Sequence, residues 1–173
     1  GTINSGNQVA IDIDNTVRGI LLTSVSANGA ANGIDVNTTT GSFTINGIST
    51  TNGTGGTIQN IATRGASFIS ATNITLKNMA FTNANTVDAG AAGICDYASA
   101  LNCNGALYMR NITTLVLDNV AVNGAAEQGL NGDNITTMTV TGCSFTNCGN
   151  EQEEGCMKIR SLQGTCSIVN SMF

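Results

Sequence analysis

Few side chains in this chain can do chemistry. Of its 173 residues only 6 are Lys or Arg and 11 are Asp or Glu, and there is no His. The missing imidazole excludes Ser-His-Asp and Cys-His nucleophile pairs and every His-ligated zinc or haem site. Half of the basic groups fall late in the sequence, where Tyr108, Arg110, Asp133, Lys158 and Arg160 recur at related places in neighbouring repeats. Brought onto one face, they allow two readings. One is a groove for an acidic sugar, with Arg or Lys abstracting a proton or stabilising charge while Asp133 pairs with them or binds calcium. The other is a salt-bridge cluster between adjacent strands, contributing little stability.

Acidic groups near the start also invite a reading. Asp12 and Asp14 stand two residues apart and face the same way along a strand, with Asp35 one repeat on. That spacing fits either a calcium site or solvated decoration. Six cysteines lie at or beyond Cys95. Cys95 and Cys103 lie in the longest insertion, Cys148 and Cys156 flank the acidic one, and Cys143 and Cys166 sit at inward positions of adjacent repeats, as a bridge or as buried thiols. Disulfides are expected, and with them an extracellular setting. No pair has the C-x-x-C spacing of a redox or zinc site, and no cofactor is implied. Asn-x-Ser/Thr sequons at Asn37, Asn52, Asn73, Asn111 and Asn134 serve either turns or glycan attachment.

The net charge of −5 opposes binding to nucleic-acid phosphates. No apolar run approaches the roughly 20 residues needed to cross a bilayer as a helix. The composition is nevertheless 41% hydrophobic, enough to bury a core, and its length suits one domain over residues 1–173.

What positions these groups is an internal repeat. Segments beginning at residues 20, 43, 74, 115, 138 and 166 each alternate apolar and polar, break for two residues, then alternate again. Leu115-Val-Leu117-Asp-Asn119-Val120-Ala-Val122 is the type case. Period-two alternation means strands with one buried face, and no window keeps a helical stripe. The second position of the break holds Ser24, Gly47, Asn78, Asn119, Gly142 and Asn170. Gly and Asn enter the left-handed backbone region at least cost, so each break is expected to be a sharp corner. The shortest repeat is 23 residues, and insertions are expected at one corner, after the second strand. A third strand precedes each pair, as in Leu107-Tyr-Met109, and stacking of the repeats puts Ile20, Phe43, Ile74, Leu115, Met138 and Cys166 in one inward file.

This strand, Asn corner, strand pattern resembles the right-handed parallel β-helix of the pectate-lyase-like superfold, a three-sided solenoid, here of about six coils. The stretches Asn32-Gly-Ile-Asp-Val-Asn-Thr-Thr-Thr-Gly-Ser-Phe-Thr-Ile-Asn-Gly47 and Gly55-Gly-Thr-Ile-Gln-Asn60 look closer still to repeat regions of very large bacterial secreted surface proteins. The resemblance implies an all-β rod outside the cell or on its surface. It says little about activity, because that superfold carries lyases, hydrolases, adhesins and inert stalks. Polygalacturonase-like members show paired aspartates, Gly-His-Gly and Arg-x-Lys. This chain lacks His and has Lys158-Ile-Arg160 instead, so the resemblance does not extend to the residues of that hydrolysis.

Without a capping helix at either end, the coils are expected to stack on flanking coils or on copies of the chain, as in a stalk, adhesin segment or head-to-tail filament. The leading expectation is a non-catalytic structural solenoid with no nucleic-acid partner. The rival is a carbohydrate-binding or lyase module working through Tyr108, Arg110, Asp133, Lys158 and Arg160.

Overall fold

The computed structural model describes residues 1–88 and 104–173. These form fourteen strands and, among the described residues, no helix: β1 (Thr2–Asn4), β2 (Ile11–Asp14), β3 (Ile20–Leu22), β4 (Ser24–Asn28), β5 (Asn32–Ile45), β6 (Thr57–Gln59), β7 (Arg64–Lys77), β8 (Ala80–Thr82), β9 (Gly105–Asp118), β10 (Ala121–Ala125), β11 (Gln128–Thr141), β12 (Ser144–Cys148), β13 (Met157–Leu162) and β14 (Cys166–Val169). Two sheets result. One is ordered β1-β4-β6-β8-β10-β12; the other is ordered β13-β11-β9-β7-β5-β2, with β3 beside β5 and β14 beside β11. Every strand pairing is parallel. Parallel neighbours need a crossover, and here the chain crosses by alternating between the sheets.

Register fixes which side chains share a column. Ile20 stands opposite Phe43, Phe43 opposite Ile74, Ile74 opposite Leu115, Leu115 opposite Met138 and Met138 opposite Cys166. Phe43, Ile74, Leu115 and Met138 are buried, whereas Cys166 is exposed on the outer strand. Phe43 and Phe68 meet edge to face at 5.2 Å. Full burial of one such ring stabilises by about 1.5–3 kcal/mol.

Most left-handed residues among those described fall in three columns. Gly47, Asn78, Asn119, Gly142 and Asn170 have φ of 73°, 55°, 52°, 61° and 51°. Ser24 does not join them: it lies inside β4, and the first repeat turns at Thr23 without a left-handed residue. A second column, Gly29, Asn60, Asn83, Gly124 and Asn147, bends the chain as it leaves the smaller sheet. In the third, Thr38, Ser70, Asn111 and Asn134 bend the long strands of the larger sheet in mid-course, with Asn15 just past β2 and Ser161 near the end of β13 in the same file.

Two expectations are corrected. Ile48-Ser-Thr50 is not the second strand of its repeat: Ile48 is 79% exposed, and Thr57–Gln59 pairs with β4 and β8 instead. Ile58 is fully buried in that row. Gly56, at φ 105°, makes the shift feasible, because a Cβ there would overlap the Val25 carbonyl. The insertions consequently lie at two bends rather than one. The first separates β5 from β6; the others separate β8 from β9 and β12 from β13.

Candidate functional site

Outward-facing residues of the larger sheet form two columns. One runs Asp12, Asp35, Ser67, Tyr108, Asn131 and Lys158; the other runs Asp14, Asn37, Ile69, Arg110, Asp133 and Arg160. Parallel register therefore brings Tyr108, Arg110, Asp133, Lys158 and Arg160 onto one face. That face is not an open groove, however. Ser67 and Asn131 are buried, Tyr108 is 3% exposed and Asp133 9%.

Asp133 is the hub. Arg160 grips it with two donors, Nε to Oδ1 at 3.1 Å and Nη2 to Oδ2 at 2.8 Å. Arg110 adds an ion pair from the other side at 3.8 Å and donates through Nη1 to the Tyr108 hydroxyl at 3.2 Å. The Arg160 bonds, with the guanidinium charges, hold the Asp133 carboxyl below the ordinary carboxylate value despite its burial. Such a carboxylate is a poor proton acceptor near neutral pH. Tyr108 is equally committed, with the Arg64 guanidinium 3.7 Å above its ring centre. A sugar has no ring face to stack on there. Lys158 donates to the Glu153 carbonyl at 2.9 Å and lies 3.5 Å from the Glu153 carboxylate. Beside it, Gln128, Glu153, Glu154, Gly155, Met157 and Lys158 line an open depression of about 270 Å³.

The early acids are arranged differently. Asp12 and Asp14 are exposed and do not converge with Asp35 into a ligand cluster. Burial pushes the Asp35 carboxyl above its ordinary value, and the Asp12 charge adds to this against the Ser67 hydroxyl and Arg64. Asp88, Glu151 and Glu154 do converge, their carboxylate oxygens within 4.8 Å of one another. Glu151 is pushed upward, first by desolvation and then by the two neighbouring charges. The acidic run 151–154 was visible in the sequence; its meeting with Asp88 was not.

Among the described residues the cysteines are free thiols, which corrects the expected Cys148–Cys156 disulfide; of the bridge or buried thiols open to Cys143 and Cys166, Cys143 is a buried thiol and Cys166 an exposed one. Cys166 stands opposite Met138, whereas the Cys143 sulfur accepts from the Val120 amide at 3.4 Å in a different column. Cys148 and Cys156 are neighbours but unbonded, and burial together with Cys156 pushes the Cys148 thiol up to about 12. Cys95 and Cys103 lie outside the described residues.

Side-chain amides do structural work at the bends and insertions. Asn134 donates to Asn111 at 2.9 Å and Asn147 to Asn123 at 2.8 Å. The Asn52 amide reaches the Asn119 and Met79 carbonyls at 2.8 and 3.1 Å. Sequence reasoning also missed Asn85. It is buried, donates to the Thr63 carbonyl at 2.9 Å and accepts from the Glu127 amide at 2.8 Å.

Comparison with protein-family models, curated proteins and solved structures finds no match to this chain. The functional reading therefore rests on geometry.

Proposed function

We propose that the chain is a right-handed parallel β-helix of about six coils serving as an extracellular structural solenoid: a surface stalk, adhesin segment or filament subunit without catalysis. One observation carries this reading, the continuous column of parallel pairings from Ile20 to Cys166, in which each repeat lies against the next. Repeats arranged this way bury a shared core and grow along one axis, which suits a spacer or scaffold. The commitment of Asp133, Arg110 and Tyr108 to one another favours the salt-bridge reading of the charged face. Placement outside the cell rests on the resemblance to secreted surface repeats.

Small-angle scattering tests the shape: stacking at roughly 4.8 Å per coil makes six coils a short rod on the order of 30 Å long. Assays on acidic polysaccharides, with and without calcium, test the rival reading. Turnover by the native chain that disappears in Arg110→Ala and Lys158→Ala would replace the structural reading with a lyase-like one.

A further inference from the structure

The five Asn-x-Ser/Thr sequons all lie among the described residues, and the fold treats them differently. The Asn52 amide gives both its protons to backbone carbonyls, and the Thr54 hydroxyl donates to the Thr51 carbonyl at 2.8 Å. Asn134 donates to Asn111 and accepts from Gln163 at 3.0 Å, so both carboxamides are tied along one bend. At Asn37 the side-chain oxygen accepts from the Thr38 hydroxyl at 3.2 Å, and Thr39 is fully buried, its hydroxyl turned back to the Asn37 carbonyl. Asn73 differs. It is exposed on the outward face of β7, and among the described residues its carboxamide has no hydrogen-bond partner. Thr75 points to the same side of the strand, its hydroxyl likewise unengaged, while Ile74 between them is fully buried. Ser42 and Thr114 flank Asn73 in its column, and Thr44 and Val116 flank Thr75. None of these four is charged or aromatic, so the surface around Asn73 is low and open.

We propose, on the extracellular placement argued above, that Asn73 is a site of N-glycosylation, the one sequon in which neither carboxamide nor hydroxyl is engaged by the fold. The donor is a sugar carried on a phosphate. Asn73 Nδ2 bonds to the anomeric carbon, and the bond from that carbon to the phosphate oxygen breaks. The phosphate departs with the electron pair, and one Nδ2 proton passes to a base of the transferring enzyme. The hydroxyl two residues on is the second half of the acceptor signal, and strand geometry keeps Thr75 on the same side as Asn73. A sugar on Asn73 projects from the face into solvent without displacing a contact. On Asn52 it would remove one of the two protons which that amide donates, and with it a tie between the insertion and the corner at Asn119.

Expression of the 173-residue chain behind a secretion signal in a eukaryotic cell line tests this. Peptide mass spectrometry reads each sequon after an amidase has released the sugar and left Asp in place of the modified Asn. Asn73 should be modified in most secreted molecules, and removing the sugar should leave the melting temperature nearly unchanged. Asn73→Gln and Thr75→Ala should each abolish modification at residue 73, and Thr75→Ser should retain it. All three changes lie on the outward face, and circular dichroism verifies that each variant folds. Secreted chain with Asn73 unmodified would overturn the proposal, as would folded, secreted chain carrying its sugar on Asn52. Retention of the chain inside the cells would count against the extracellular reading alone, because mapping the retained chain still decides Asn73.

Discussion

The Asn119 carboxamide donates to the Asn78 carboxamide oxygen at 2.8 Å, and both residues hold left-handed backbone at φ of 52° and 55°. The same nitrogen reaches the Thr50 carbonyl at 2.7 Å, so one side chain ties two repeats and an insertion together. Asn119→Val forfeits these bonds and puts a β-branched residue at positive φ. Its cost should be about 2–3 kcal/mol, against about 1 kcal/mol for Asn119→Gly, which keeps the backbone easy. Denaturant melts of the two variants check the order; equal costs would remove backbone strain from the explanation.

Thr38 and Ser70 hold left-handed backbone at φ 52° where neighbouring repeats use Asn111 and Asn134. Thr38→Asn should stabilise by about 1 kcal/mol, since Asn tolerates that region and Thr does not. An unchanged or lower melting temperature would refute this.

Ile58 and Ile48 compete in sequence for one strand position. Ile58→Ala should cost about 2–4 kcal/mol because the side chain is fully buried, and Ile48→Ala should be close to neutral because that side chain is 79% exposed. Reversed magnitudes would return the strand to 48–50.

Asp133 and Asp35 should give pH dependences of opposite sign. Asp133, held low by Arg160, stabilises the fold above the unfolded carboxyl value of about 3.9, and that contribution fades as pH falls through the lower folded value. Asp133→Asn should therefore lower the melting temperature at neutral pH, the difference shrinking in acid. Asp35, held high by burial, makes the folded chain bind a proton more readily than the unfolded one. Its ionisation costs stability as pH rises from the unfolded value through the raised folded value. Asp35→Asn should raise the melting temperature at neutral pH and change little near pH 3. Thermal melts across pH decide both.

Thiol alkylation should follow exposure and thiolate content. Among the described cysteines, Cys166 is exposed and should react first. Buried Cys143, whose thiol burial pushes up, and Cys148, pushed to about 12, should react slowest at mildly alkaline pH. Mass spectrometry of partly alkylated protein reads the order, and early loss of Cys143 would contradict the packing around Val120.

Alternation is a local property, so the strands around Leu115 and Met138, their inward faces and the bends at Asn78, Asn119 and Gly142 could be read before any coordinates. Left-handed preference is local as well for Gly and Asn. It is not local for Thr38 and Ser70, which are forced into that region by stacking on neighbours that already bend there. Nor could alternation choose between Ile48 and Ile58, which share the same pattern; the buried row and the close approach of Gly56 to Val25 made that choice. The charged cluster was half legible. Repeat spacing aligned Tyr108 with Lys158 and Arg110 with Arg160, yet the sequence could not say whether that face met water or what each charge would pair with. Burial of the face, and the grip of two arginines on Asp133, depend on residues brought together across repeats, and distance in space has no signature in a one-dimensional pattern.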